Sequence, residues 1–263
     1  MDSLFGYCIS GTVPVRVSDS DTSEMDTQLL LGECFEVLAI TERWVRVRSI
    51  YDKVEGWVNK VQIKFLNPNE FQDWFNHPQK ERSPYRSFFA YNDLDAIHVP
   101  FGSEVIFDDV SVILPHGKYE VRQPPFLIKS VGILETAENF LGTPYLWGGR
   151  TDTGIDCSGF VQIVHQLFDF NPPRNSSDQA LIQPVRNADI LTAKKGDLIY
   201  FGASNDKISH VGFYLGEGTV LHASGHVKLN NLIYDSRFDN PFPFDKRLSD
   251  RIQLIQDSSA LKG

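Results

Sequence analysis

Small all-β barrels followed by an α+β domain is the fold class that this 263-residue chain predicts. Two observations lead there. Residues 6–65 and 87–121 break into short alternating segments separated by turn residues, the texture of small antiparallel barrels. Beyond Pro124-Pro125 the period changes. A glycine-rich stretch from Pro144 to Ile155 gives way to Phe160, Val161, Val164, Leu167 and Phe168 on one face at helical spacing, and short apolar strands follow. One helix preceding an antiparallel sheet is an α+β arrangement.

Taken in order, residues 1–66 form the first barrel, with strands at Val13-Val15-Val17, Cys34 to Leu38, Trp44 to Val47 and Gly56 to Val58. Cys8 and Cys34 occupy its apolar positions as small hydrophobes; with Cys157 they are too few and too scattered for a disulfide framework. Residues 67–125 hold a polar, proline-bounded linker from Asn67 to Pro84, read as one short helix carrying Phe71, Trp74 and Phe75. A second, degenerate barrel from Ser87 to Val121 follows. Residues 126–263 begin with a helical stripe of Leu134, Ala137, Phe140 and Leu141, stopped by Gly142 and Pro144. Next come a helix starting at Cys157, a polar loop from Arg174 to Gln179, strands beginning at Asp197, His210 and Thr219, and a last strand from Arg251 to Gln256.

With 25 Lys and Arg against 34 Asp and Glu, the net charge of -9 argues against nucleic acid or an anionic membrane surface as a partner. The apolar runs are interrupted well before the roughly 20 residues of a membrane span. The start, Met-Asp-Ser-Leu-Phe-Gly, has no basic segment leading into an apolar one, so a cytoplasmic location is expected. No Cys-x-x-Cys or fourth ligand accompanies the cysteine and histidines discussed next; neither a metal nor another cofactor is expected.

The chemistry concentrates on Cys157. A thiol in the first turn of a helix faces unpaired N–H groups and the positive end of the macrodipole, both of which favour the thiolate. Ser209 to Gly216 and Val220 to Ser224 read as two strands around a Gly-Glu-Gly turn, and they carry His210 and His222. A strand, a tight turn and a returning strand set two such residues side by side, so one imidazole can orient the other. Nucleophile, base and orienter are then present. Lowering a thiol from about 8.5 to about 5 takes roughly 5 kcal/mol, more than the dipole's limit of about 2, so a thiolate–imidazolium pair with His210 is expected. Asp156 reads as the N-cap of the same helix. A carboxylate beside a thiolate opposes its ionisation, so a cation should compensate it.

Tyr145-x-Trp147-Gly148-Gly149, Asp156-Cys157-Ser158-Gly159-Phe160, Pro173-Arg174-x-Ser176, Gly196 to Phe201, His210 to Leu215 and His222-Ala223 stand in an order and spacing that resembles the NlpC-type bacterial cell-wall cysteine peptidases, over roughly residues 126–255. Ser23 to Glu33 resembles the bacterial SH3-like barrels that precede the peptidase in many members. The resemblance implies a papain-like core that cleaves the peptide stems of peptidoglycan, with Cys157 as nucleophile, His210 as base and His222 as third residue. It implies that the Tyr145 hydroxyl lies near the oxyanion. It also implies that Asp156, Ser158 and Ser176, with Ser177 as the alternative register, hold the ammonium of an N-terminal L-alanine. That ammonium would be the cation Asp156 otherwise lacks. An acid of the first barrel touches the same ammonium in relatives, and Glu24 is the candidate; the tyrosine expected before Gly56-Trp57-Val58 is replaced by Val54, which leaves one wall of that pocket unassigned. The implied activity is hydrolysis of the γ-D-glutamyl–diamino acid bond of a small free murein peptide, with no obligate protein partner. The alternatives are an exported lysin acting on intact wall and an inactive peptide-binding scaffold.

Overall fold

The computed structural model describes residues 4–108, 110–182, 185–187, 189–233 and 241–257. They fall into two compact units. One runs to Ile128 and takes in Arg150–Asp152; the other holds Lys129–Gly149 and continues from Thr153.

The first unit opens with seven antiparallel strands: β1 (Phe5–Cys8), β2 (Thr12–Arg16), β3 (Met25–Leu30), β4 (Cys34–Ile40), β5 (Trp44–Ser49), β6 (Glu55–Asn59) and β7 (Ile63–Leu66). Their spatial order is β3-β2-β6-β5-β4-β1-β7. Alternation decides which face is buried: Val13 and Val15 of β2 point inward to Cys8, Phe35, Val45 and Val58.

Helix α1 (Pro68–Phe75) follows, opened by a capping box in which Asn67 accepts from the Asn69 and Glu70 N–H groups while Glu70 accepts from Asn67 N–H. The helix ends there because His77 precedes a proline. The expectation of one helix-bearing linker reaching Pro84 is therefore corrected. Lys80–Arg82 form β8, which pairs with β11 (Glu104–Asp108). A three-residue Lys-Glu-Arg run has no apolar alternation to announce a strand. The remaining strands are β9 (Phe88–Tyr91), β10 (Ala96–Val99), β12 (Ser111–Leu114) and β13 (Gly117–Glu120), in the order β10-β9-β13-β12-β11-β8. Both sheets and α1 share one core, in which Tyr7, Leu31 and Cys34 meet Phe71, Trp74 and Val105.

Charges are buried in this unit as well. Lys80 Nζ lies 2.9 Å from Glu104, and Arg82 lies 2.9 Å from Glu33 and 3.2 Å from Glu104. Arg150, in the two-residue strand β14 (Arg150–Thr151), grips Glu33 with both terminal nitrogens at 2.8 and 3.0 Å. Burial pushes the Glu33 carboxyl up, but Arg150 and Arg82 outweigh it and hold the group at about 2. Beside it Gly32 has φ +84°, and a Cβ there would stand 1.8 Å from Glu104 O, so only glycine fits this approach.

The second unit contains α2 (Ile133–Glu138), β15 (Gly154–Ile155), α3 (Cys157–Gln166), α4 (Ser176–Gln179), β16 (Val185–Asn187), β17 (Leu198–Gly202), β18 (Ile208–Gly216), β19 (Thr219–Ser224), β20 (His226–Asn231), α5 (Lys246–Ser249) and β21 (Ile252–Gln256). The last six strands make an antiparallel sheet in the order β16-β21-β17-β18-β19-β20. Every residue of α3 is buried. It rests on β18 through Phe160, whose ring meets Phe213 edge-on at 5.1 Å and Phe140 at 5.4 Å. Burying such a ring is worth about 1.5–3 kcal/mol, which fixes the start of α3 against the middle of β18. Among the described residues no helix is long and apolar enough to cross a membrane.

Candidate active site

Cys157 is the first residue of α3, and Asp156 is its N-cap, accepting from Gly159 N–H at 2.7 Å. The sulfur lies within reach of the N–H groups of Val211 and Ser158, both of which favour its anion. Arg174 acts in the same direction. Burial and the Asp156 charge act against them and win, so the thiol is pushed up to about 12.

His210 stands on β18 next to Val211, and His222 stands on β19. The hairpin between them turns through Glu217 and Gly218, both at positive φ (51° and 78°), the backbone a two-residue turn of matching twist requires. The register pairs Phe213 with Leu221 and Tyr214 with Val220, which puts His210 and His222 diagonally on one face. Between them sits Gly212, where a Cβ would stand 2.8 Å from Val220 Cγ2 and 2.9 Å from His222 Cβ. The missing side chain makes the space for His210 Nε2 to come 2.7 Å from His222 Nδ1. The other nitrogen of His222 lies 2.9 Å from Asn230 Oδ1, and Asn230 Nδ2 donates to Pro243 O at 3.2 Å. Burial pushes His210 down to about 3, helped by the nearby His222, Arg251 and Lys228. His222 is lowered as well, chiefly by burial, against the opposing effect of its hydrogen bond to Asn230 Oδ1.

These directions run against the expectation of a preformed thiolate–imidazolium pair. Desolvation favours the neutral form of each partner, thiol and imidazole, and is the largest cause of both shifts.

A second correction concerns Asp156, which does not wait for a cation. Arg174 meets it with two nitrogens, at 3.0 and 2.5 Å, with both side chains buried. Gly148 N–H donates to it at 2.9 Å and the Ser158 hydroxyl at 3.3 Å. Five donors therefore converge on one carboxylate, whose two oxygens offer about four lone-pair sites. The loop that brings Arg174 in is held from both sides: Gln162 donates to Pro172 O and Gln179 to Pro173 O and Ser158 O. Ser158 also accepts from Arg174 at 3.0 Å, and Ser176 is buried at the first position of α4.

Tyr145 is half-buried, and its hydroxyl is pushed up to about 12 by burial and then by Cys157 and Asp156, with Arg174 opposing. It thus shares an electrostatic neighbourhood with the cysteine. Glu24, in the first unit, is exposed. Arg174, Asn230 and Gly212 escaped the sequence reading. Arg174 and Gly212 both stand inside the quoted motifs, and Asn230 had no signal of its own.

Two sequence profiles match the chain: the NlpC/P60 family over residues 142–240 and the bacterial dipeptidyl-peptidase SH3 domain over residues 15–63. The gamma-D-glutamyl-L-lysine dipeptidyl-peptidase of Bacillus subtilis (strain 168) is 30% identical over 221 residues, which are 76% of this chain and 72% of that protein. The protein of the same name from Bacillus cereus (strain ATCC 10987 / NRS 248) is 25% identical over 253 residues, 84% and 73% of the two chains. In fold, the chain is similar to an NlpC/P60 family protein from Bacillus cereus ATCC 10987, with a TM-score of 0.77, 19% identity and 96% and 98% of the chains covered. It is also similar to an NlpC/P60 endopeptidase from Photobacterium damselae subsp. piscicida, with a TM-score of 0.71, 15% identity and 87% and 66% covered. A papain-like α+β unit whose helix α3 opens at Cys157, preceded by SH3-like all-β structure and sharing this much sequence with those peptidases, belongs to the NlpC/P60 family of peptidases.

Proposed function

We propose that the chain hydrolyses the γ-D-glutamyl–diamino acid bond of free murein peptides that begin with L-alanine, through Cys157, His210 and His222. The observation that carries this is the 2.7 Å contact between His210 and His222, on the strand whose next residue, Val211, reaches the Cys157 sulfur. The names of the two Bacillus relatives support the bond class.

Because burial favours the neutral thiol and the neutral imidazole, the proton leaves Cys157 for His210 as the sulfur attacks the γ-carbonyl carbon. The oxyanion that forms is met by the Cys157 N–H at the helix start and by the Tyr145 hydroxyl. The imidazolium returns the proton to the departing amine of the diamino acid. His210 then takes a proton from the water that attacks the thioester, and L-Ala-D-Glu leaves with Cys157 restored. Asp156, Ser158 and Ser176 bind the alanine ammonium. Since Arg174 already neutralises Asp156 and five donors crowd its oxygens, the ammonium takes the place of the longest of them, the Ser158 hydroxyl at 3.3 Å, and meets no uncompensated charge.

The test is mass spectrometry of products from L-Ala-γ-D-Glu-L-Lys, the diaminopimelate tripeptide and intact sacculi, with the Cys157→Ala variant as control. L-Ala-D-Glu from the tripeptides and little release from sacculi is the expected result. Comparable release from sacculi would make the protein a wall lysin, and an inert Cys157 with no product would leave a binding scaffold.

A further inference from the structure

We infer that Asn230 is a positioning residue that sets which nitrogen of His210 is free to take a proton. The inference rests on the reading of His210 as the base.

The chain of contacts has one possible polarity. Pro243 O can only accept, and it already receives Asn231 N–H at 2.9 Å. The Asn230 group 3.2 Å from it must therefore be the amide NH2, which turns Oδ1 toward His222. Oδ1 can only accept, so His222 Nε2, at 2.9 Å, carries the hydrogen. In a neutral imidazole the other nitrogen is then bare. His222 Nδ1 must accept across 2.7 Å, so His210 Nε2 carries its hydrogen and His210 Nδ1 is left with a lone pair. Reversing any link sets two acceptors face to face in a buried place. A flipped amide would aim Oδ1 at a carbonyl, and an Nδ1-protonated His222 would aim a bare nitrogen at Oδ1. His222 and Asn230 are 2% and 8% exposed, so little water competes for these bonds.

A cationic His222 would escape this logic, and its surroundings decide against one. Among the described residues, burial, Lys228 and His226 disfavour the cation, and the Asn230 bond and Asp245 favour it. Among the described residues, the charged neighbours of His210 are Arg251 and Lys228, again cations. The segment that supplies Pro243 is itself fastened to β20: Asp245 N–H donates to Asn231 O, and Phe244 pairs with Asn231. Asn230 thus passes a fixed backbone direction through two rings to the base.

Long-range 1H–15N NMR of the histidine rings in the full chain reads the tautomers without any substrate. Both His210 and His222 should be Nε2-protonated in the wild-type protein. In Asn230→Ala, His222 should populate the Nδ1 tautomer, with kcat on a γ-D-glutamyl tripeptide falling about ten- to a hundredfold and KM nearly unchanged. Asn230→Asp keeps the acceptor toward His222, loses the bond to Pro243 and turns a second oxygen toward its carbonyl. It should restore most of kcat and move the acidic limb of the pH profile upward, because its charge favours the imidazolium. An Nδ1-protonated His222 in the wild type would overturn the inference, as would an Asn230→Ala protein with unchanged kcat and pH profile. Should Asn230→Ala not fold, the wild-type spectrum and Asn230→Asp decide. A wild-type protein with the expected tautomers but no tripeptide cleavage would refute the proposed activity and leave the relay intact.

Discussion

Replacing Arg174 by Met leaves the Asp156 carboxylate buried without its cation. The two side chains are 2% and 8% exposed and joined by two short bonds, so water cannot take over. Breaking a buried pair from one side costs about 3–5 kcal/mol. At roughly 3–5 °C per kcal/mol for a domain of this size, the thermal midpoint of the second unit should fall by about 10–20 °C. The substitution reaches Cys157 too. Arg174 lowers the Cys157 thiol and Asp156 raises it, so with the arginine gone the carboxylate acts unopposed and alkylation of Cys157 by iodoacetamide should slow. The sharpest readout is a sign. Asn at position 156 still caps the helix without a charge, so the double variant Arg174→Met, Asp156→Asn should be more stable than Arg174→Met alone and should regain thiol reactivity. Urea melts and alkylation rates of the two single variants and the double variant complete the cycle. A double variant as unstable as the sum of the singles, with a coupling below about 0.5 kcal/mol, would refute the account of Asp156 as a paired charge.

Other outcomes follow from the same geometry. Because burial lifts the Cys157 thiol to about 12, its alkylation in the substrate-free protein should climb through pH 6–9, and a rate flat across that range would mean an ion pair after all. Glu33 is depressed from 4.5 to about 2, so its contribution of about 3 kcal/mol is present above pH 5 and is lost as pH falls toward 2; circular dichroism of Glu33→Gln should then show a weaker acid transition, and an identical one would exclude Glu33 as its source. Gly212→Ala must push His222 or Val220 aside, so turnover should drop by at least about tenfold at a stability loss of about 1–3 kcal/mol; wild-type turnover would mean that the His210–His222 contact is dispensable. N-acetylating the substrate alanine should cost about 1.5–3 kcal/mol in kcat/KM, the value of a hydrogen bond to a charged group; no penalty would remove Asp156, Ser158 and Ser176 from the amine pocket.

Much of this architecture could be read from residue order because it depends on periodicity. The alternation of Val13 and Val15, the stripe opening at Phe160 and the Gly-Glu-Gly hairpin each encode a local geometry that the protein adopts. Segments held by partners and not by their own pattern stayed hidden. Strand β8 is three charged residues whose place is set by β11 and two buried acids. Strand β20 offers only Val227 and Leu229 as apolar markers between His226, Lys228 and Asn230, too little to separate it from a polar loop. Asn230, which it carries, was unreadable for the same reason.

The candidate site divides along the same line, and Cys157 shows why. Its position at a helix start is a local property, so the sequence supports an argument from N–H groups and dipole, together worth at most about 2 kcal/mol in favour of the thiolate. The opposing influences are not local. Burial of the sulfur depends on β18 and on Phe160 packing against Phe213, and the Asp156 charge depends on a loop eighteen residues away that Gln162 and Gln179 hold in place. Only the folded arrangement reveals that burial is the largest influence on the thiol, and it acts against the dipole and the N–H groups. The exposed Glu24 and the buried Glu33 make the same point within one quoted motif. The run from Ser23 to Glu33 contains both acids, and nothing in their spacing says that only Glu33 lies against Arg82 and Arg150. Residue type and spacing therefore identify which groups can react, while the protonation state in which they wait is set by neighbours distant in sequence.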